Sequence, residues 1–388
     1  MFNYFRVAPP AVAGMKPSGI RKYFGIMETL PDAISLGVGE PDFITPDHIM
    51  QAGIDSLKAG KTQYTANTGL ISLRREIGKY IEKSFEVSYD PADEVMVTVG
   101  GSEAIDLCLR AFLSIGDEIL VPEPAFVCYS PLAEMTGAKA VPIVTKKEDS
   151  FKLTPEALKA AITPKTKMLI LSYPNNPTGG VMKKHDLEAI AEVLRSTDII
   201  VISDEIYAEL SYGFKHTSIA SLPGMRERTI LVSGFSKAFA MTGWRLGYCC
   251  GPRELMRYPI QIHQYAIMCA SSPAQYAGIE ALQNGLGDTA RMRDEYNVRR
   301  EYLYKALIDM GFDCFEPEGA FYIFPDVSRY AKDGGDFVET LLKEQHVAVV
   351  PGEAFGMSGL NHVRISYAYS LETLKKAMDR ISKFIATR

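Results

Sequence analysis

Between residues 94 and 251 the chain alternates short apolar runs with stretches whose apolar residues return every three or four positions. The runs are "EVMVTV" (94–99), "DEILVPE" (117–123), "AKAVPIV" (138–144), "KMLILSY" (167–173), "DIIVISD" (198–204), "TILVS" (229–233) and "LGYCCG" (246–251). Several are apolar throughout and rich in β-branched residues, which suits strands covered on both faces. After the first comes "SEAIDLCLRAFLSIG", in which Ala104, Leu107, Cys108, Ala111, Phe112 and Ile115 form one stripe of a helix that Gly116 would end. "LTPEALKAAI" starts with Thr154 as N-cap and Pro155 at the first helical position. This alternation predicts an α/β fold, with a mostly parallel seven-stranded sheet between helices.

From about residue 287 the pattern changes. A long charged helix, "TARMRDEYNVRREYLYKALIDMG", leads into the strands "AFYIFPDV", "VAVVPG" and "HVRISYA", and then into the helix "SLETLKKAMDRISKFI". This reads as a smaller α+β domain. The expected division is a large domain over 49–286 and a small C-terminal domain over 287–388, which the N-terminal segment 1–48 joins. No internal repeat or low-complexity linker separates them.

Composition narrows the partners. The 388 residues are 47% hydrophobic and 23% charged, as in an ordinary globular protein large enough for two domains. The net charge is −5 without a basic block, which argues against nucleic acid and against an anionic membrane surface. No apolar run approaches the roughly 20 residues of a membrane span. The N-terminus has no charged leader followed by an apolar core, so a cytoplasmic protein is expected. Six cysteines without a C-x-x-C pair read as reduced thiols, and six histidines without ligand spacing predict no metal site.

In an open α/β sheet, ligands bind beyond the carboxyl ends of the strands. After "EVMVTV" comes Gly100–Gly101–Ser102–Glu103, a helix start that suits a phosphate. After "KMLILSY" comes "PNNPTGG", a loop that fixes Asn176 at the sheet edge. "DIIVIS" ends at Asp204, a carboxylate that is costly at a buried strand end unless it meets a cation or donors, with Tyr207 one turn on. "TILVS" leads to Ser236 and Lys237, with Arg245 eight positions later beside the single tryptophan, Trp244. Taken singly, these also fit a plain turn, a rigid loop or a helix cap. Taken together they are the set that pyridoxal 5'-phosphate requires. Its aldehyde needs a lysine, its ring nitrogen an acid, its phenolate donors, and its phosphate a helix start, a hydroxyl and an arginine.

The chain resembles the class I and II aminotransferases, the fold-type I pyridoxal-phosphate enzymes, from "SLGVGEPDF" (35–43) to "HVRISYA" (362–368). "NPTG", "SDEIY" and "SKAFAMTGWRLGY" carry the resemblance, and "SGIRK" (18–22) resembles a subgroup of bacterial aromatic or aspartate aminotransferases. The resemblance implies that Lys237 takes the cofactor's aldehyde and that Asp204 pairs with its ring nitrogen. Asn176 and Tyr207 would hold its phenolate oxygen, and Phe126 would stack on its ring. Ser236, Arg245 and the Gly101–Ser102–Glu103 helix start would bind its phosphate. Arg364 would grip the substrate α-carboxylate, backed by Gly39 and Asn176. Tyr64 would reach the phosphate of a neighbouring subunit, so a homodimer with shared active sites is implied. One position departs from the family pattern: Gly234 stands where a serine or threonine is frequent, which leaves the phosphate hydroxyl to Ser236.

The implied reaction moves the amino group of an aspartate- or aromatic-type amino acid to a 2-oxo acid such as 2-oxoglutarate. A carbon–sulfur β-lyase or a decarboxylase on the same cofactor stays open, because fold does not fix chemistry. A cofactor-binding transcription factor would need a further DNA-binding segment and a basic face. No arginine stands out as partner for a distal carboxylate, so acidic and aromatic substrates are both retained.

Overall fold

The structure, a computed structural model, describes residues 7–15 and 32–388. The "SGIRK" motif and much of the segment 1–48 lie outside the described residues. All seven apolar runs form strands of one sheet. They are β2 (Val95–Thr98), β3 (Glu118–Glu123), β4 (Lys139–Val144), β5 (Thr166–Ser172), β6 (Ile200–Asp204), β7 (Thr229–Gly234) and β8 (Gly247–Cys250), following the short β1 (Ile34–Ser35). The order across the sheet is β2-β8-β7-β6-β5-β3-β4. Only β8 runs antiparallel to its neighbours, β2 and β7. The other six therefore point their carboxyl ends the same way.

Alternation along the strands explains why they are apolar on both faces. Met168, Ile170, Ile230 and Val232 pack on one face against the helices Gly100–Phe112, Tyr129–Met135 and Arg253–Ala266. Leu169 and Leu171 turn the other way, towards Lys184–Arg195, and Leu231 towards Ile71–Phe85 and Ser272–Asn284. Cys249 and Cys250 are both fully buried, one on each face. As the sequence suggests, the Thr154 side chain caps the helix Pro155–Ala161 by accepting from Ala157 N–H at 3.2 Å.

Two expectations need correction. The helix after β2 ends at Phe112, not Gly116. Leu113 is extended and buried, whereas Ile115, placed on the apolar stripe, is 89% exposed. "VAVVPG" is not one strand but two short ones, β10 (Val347–Ala348) and β11 (Val350–Pro351). They serve different partners: β10 pairs with β1 in parallel, and β11 pairs with β12 (Val363–Ser366) antiparallel. On its other side β12 pairs antiparallel with β9 (Tyr322–Ile323).

A separate core lies among the C-terminal elements. Leu303, Leu307, Phe337, Leu341, Val363, Leu374, Ile381 and Phe384 are fully or almost fully buried in it, and Leu36 from the N-terminal side joins them. Tyr207 and Tyr322 belong to the same cluster. This core thus reaches the carboxyl end of β6, where the site lies.

Candidate active site

Beyond the carboxyl ends of the parallel strands is a cavity of about 320 Å³. Val38, Gly39, Gly101, Ser102, Phe126, Asn176, Asp204, Tyr207, Ser236, Lys237, Arg245 and Arg364 all line it. Thus five strand ends, the loop at residues 38–39 and strand β12 converge on one space.

Lys237 sits in a tight turn after β7. Phe235 and Phe239, both buried, anchor the turn on the sheet, and Ala238 and Ala240 offer their carbonyls to Thr289 and Thr45. Ala238 and Ala240 are themselves buried. Its Nζ donates to Gly39 O at 2.6 Å. Burial lowers its pKa to about 8; Glu40 opposes this, while Arg364 and Arg245 add to it. The amine is therefore partly neutral near pH 8, as a nucleophile or base must be.

Asp204 ends β6 and is buried. Its Oδ2 accepts from the Tyr129 hydroxyl at 2.6 Å and its Oδ1 from Ile206 N–H at 3.2 Å. Burial still raises its pKa to about 6, with the Tyr129 bond acting against the rise. A cation placed in the cavity would complete this carboxylate.

Arg364 projects from β12 and is 2% exposed. Its Nη1 donates to Asn176 Oδ1 at 2.9 Å and its Nη2 to Gly37 O at 2.6 Å. Its guanidinium lies 4.4 Å from the ring centroid of Tyr322 and 4.8 Å from that of Phe355. Among the described residues no carboxylate pairs with it, and its Nε is buried without a partner. An unpaired buried cation costs several kcal/mol. A carboxylate ligand arriving in the cavity would remove that cost. Because Arg364 holds Asn176 by its amide oxygen, the amide nitrogen is left to donate. The loop that presents Asn176 is fixed by its neighbour: Asn175 Oδ1 accepts from both the N–H and the hydroxyl of Thr178. Gly39 has no room for a side chain, since a Cβ there would collide with the Tyr322 hydroxyl.

The other end of the cavity is an anion cradle. Gly100 opens its helix at φ +76°, and a Cβ on it would come within 2.7 Å of Arg245 Nη2. Arg245 itself is left-handed at φ +54°, which costs about 1–2 kcal/mol and turns its side chain back over the helix start. Ser102 and Ser236 line the same space. Backbone donors, two hydroxyls and a guanidinium suit a phosphate. Gly234 does not line the cavity. A Cβ there would lie 2.9 Å from Gly247 Cα and 3.0 Å from Leu246 O, so a serine or threonine has no space.

These features decide the comparison with known proteins. The sequence model of the family described as Aminotransferase class I and II matches residues 31–381. The chain belongs to the class I and II aminotransferases. It is 46% identical to an aspartate aminotransferase of Pyrococcus abyssi and 42% identical to aromatic-amino-acid aminotransferase 2 of Thermococcus litoralis. In each case the match covers 96% of both chains. It superposes on the aspartate aminotransferase from Thermus thermophilus with maleate at a TM-score of 0.93. That match has 37% identity and covers 98% of this chain and 100% of that one. The protein is thus an aminotransferase of a pyridoxal-phosphate-dependent family, with the α/β fold and mostly parallel sheet expected from its sequence.

Two expected site residues of this aminotransferase are not at the cavity. The Glu103 side chain turns away: its carboxylate accepts from Val99 N–H and pairs with His263 Nδ1 at 2.8 Å. A carboxylate facing an anion would repel it, so only the backbone of residue 103 belongs to the helix start. Tyr64 is 81% exposed and does not line this chain's cavity. Tyr129, Ser172, Thr242, Glu40 and Tyr322 do line it and were not expected. Tyr322 pairs with Tyr207 through their hydroxyls at 2.8 Å. In the sequence it is one of several aromatics in a short strand, with nothing to distinguish it from a core residue.

Proposed function

We propose that this aminotransferase binds pyridoxal phosphate in the cavity and transfers the amino group of an aspartate- or aromatic-type amino acid to a 2-oxo acid. The observation that carries the reading is one cavity presenting a lysine amine, a buried acid, an anion cradle and a buried arginine with no carboxylate partner among the described residues. The residues present fit the cofactor: the Arg245–Gly100 cradle suits its phosphate and Asp204 its ring nitrogen. When bound, the cofactor supplies an acceptor for the electron pair left on the substrate Cα. Arg364 binds the substrate carboxylate and so orients the Cα hydrogen towards Lys237. Lys237 Nζ would take the proton from the substrate Cα and give it up at the carbon that carries the cofactor's aldehyde. Asp204 would hold the proton on the ring nitrogen. Asn176 and Tyr207 would donate to the phenolate oxygen, and Phe126 would cover the ring.

Arg364→Lys tests the carboxylate assignment. A point charge replaces a planar fork, and KM is expected to rise about ten- to a hundredfold for every amino acid, whatever its side chain. A rise confined to acidic amino acids would assign Arg364 to the side-chain pocket instead.

The active unit we propose is a homodimer in the cytoplasm. The cysteines, all unpaired, suit a reducing compartment. The loop carrying the exposed Tyr64 contacts the segment 268–272, through Asn67 Nδ2 to Met268 O and Ser272 Oγ to Gln63 O. Tyr265, Ile267 and Met268 beside it are also exposed, an apolar surface that suits a subunit interface. If Tyr64 serves the neighbouring site, a mixed dimer of Tyr64→Asp and Lys237→Ala chains has both defects in one site and none in the other. Such dimers, isolated with two different tags, are expected to recover about half of the wild-type activity. No recovery would place Tyr64 in its own chain's site.

A further inference from the structure

The acid at the end of β6 is held by a tyrosine that had no expected role. We propose that Tyr129 is a positioning residue: its hydroxyl keeps Asp204 ionised and aimed at the cofactor's ring nitrogen. This rests on the reading of the cavity as a pyridoxal-phosphate site.

Tyr129 is 1% exposed, and its hydroxyl touches two groups, Asp204 Oδ2 at 2.6 Å and Ser172 Oγ at 2.9 Å. A phenol has one proton to give. With Ser172 donating to the phenol oxygen, that proton goes to Asp204. The two oxygens of Asp204 are then fixed by independent donors, Tyr129 on one and the Ile206 backbone on the other. The ring of Tyr129 packs edge-on against Phe126, with centroids 5.7 Å apart and planes at 76°. One side chain thereby braces both the acid and the aromatic expected to cover the cofactor.

The charges around Asp204 leave this bond an important part. Burial raises its pKa to about 6, and Glu205 next to it pushes the same way. Lys237 opposes them, as does the Tyr129 bond, which outweighs it. The buried Cys128 thiol and Tyr207 phenol are held neutral, since burial pushes both upward. Without the Tyr129 hydroxyl, Asp204 loses the larger of its side-chain counterweights and takes up a proton closer to neutral pH.

Tyr129→Phe removes the hydroxyl and keeps the ring against Phe126. In cofactor-free enzyme, the Asp204 carboxyl followed by carbon-13 NMR is expected to titrate about one pH unit or more higher than in the wild type. Ser172→Ala is expected to move it the same way by less. The second readout compares pyridoxal phosphate with its 1-deaza analogue, which has a C–H in place of the ring nitrogen. Tyr129→Phe is expected to weaken the first at least about tenfold and to leave the second unchanged. Equal weakening of both, or an unmoved Asp204 titration, would make Tyr129 a packing residue and overturn the proposal. Wild-type enzyme that binds both compounds equally would instead overturn the pairing of Asp204 with the ring nitrogen.

Discussion

Lys237→Ala is expected to lose transamination by a factor on the order of a million, the scale seen when a residue that performs the bond-making step is removed. The amine is set up by its surroundings. It lies in a turn anchored by Phe235 and Phe239, and burial brings its pKa to about 8. The same atom attaches the cofactor and moves the proton, so alanine removes both functions. Arg245, Ser102 and Ser236 are untouched, and cofactor binding through the phosphate is expected to persist. Borohydride treatment with pyridoxal phosphate, followed by peptide mass analysis, checks the assignment. Label is expected on the peptide containing Lys237 in the wild type and nowhere in the variant. Specific label on another lysine would move the chemistry there.

Asp204→Asn is expected to cost at least about 100- to 1,000-fold in rate, as does loss of a charge-stabilising group at other sites. A neutral amide is close to isosteric but cannot keep a ring nitrogen protonated. A variant within about threefold of wild type would reduce Asp204 to a structural cap. Its stability is expected to move the opposite way. Asp204 has a folded-state pKa of about 6, above its ordinary 3.8. Between these values the folded state holds more protons than the unfolded one, so the cofactor-free protein loses stability as pH rises from about 4 to 6. The cost is fully present above pH 6 and amounts to about 3 kcal/mol. Cofactor-free Asp204→Asn is therefore expected to melt at a higher temperature than wild type at pH 8, with the difference disappearing below pH 4. An acid kept at a cost in stability is the mark of a group held for a ligand.

Most of the sheet was legible because its signal is local. Ile230 to Val232 and Met168 to Leu171 are apolar in succession, and both neighbours of each are buried by opposite layers of helix. The strand ends stood out only as a set, since each alone also fits a turn, a rigid loop or a helix cap, and the fold brings them to one cavity. What escaped depends on side-chain direction. Glu103 follows the glycines of the helix start as Ser102 does, yet it faces back to Val99 N–H and His263. Gly234 looked like a missing hydroxyl, but Gly247 and Leu246 press against it from the adjacent strand. Nothing in the sequence singles out Tyr129 or Tyr322, because only the fold brings one to Asp204 and the other to Tyr207. The break in "VAVVPG" is set by two strands, β1 and β12, that lie far from it in sequence.

The central claim is that the cavity transfers an amino group in two separable halves. The direct measurement mixes enzyme and pyridoxal phosphate with each of the twenty amino acids, without an acceptor, and counts the oxo acid formed. The account predicts one equivalent per cofactor-bearing site from aspartate- or aromatic-type donors, after which production stops until 2-oxoglutarate is added. Continuous release of ammonia and pyruvate, of sulfide, or of carbon dioxide without any acceptor would contradict it, and would make the site that of a lyase or a decarboxylase.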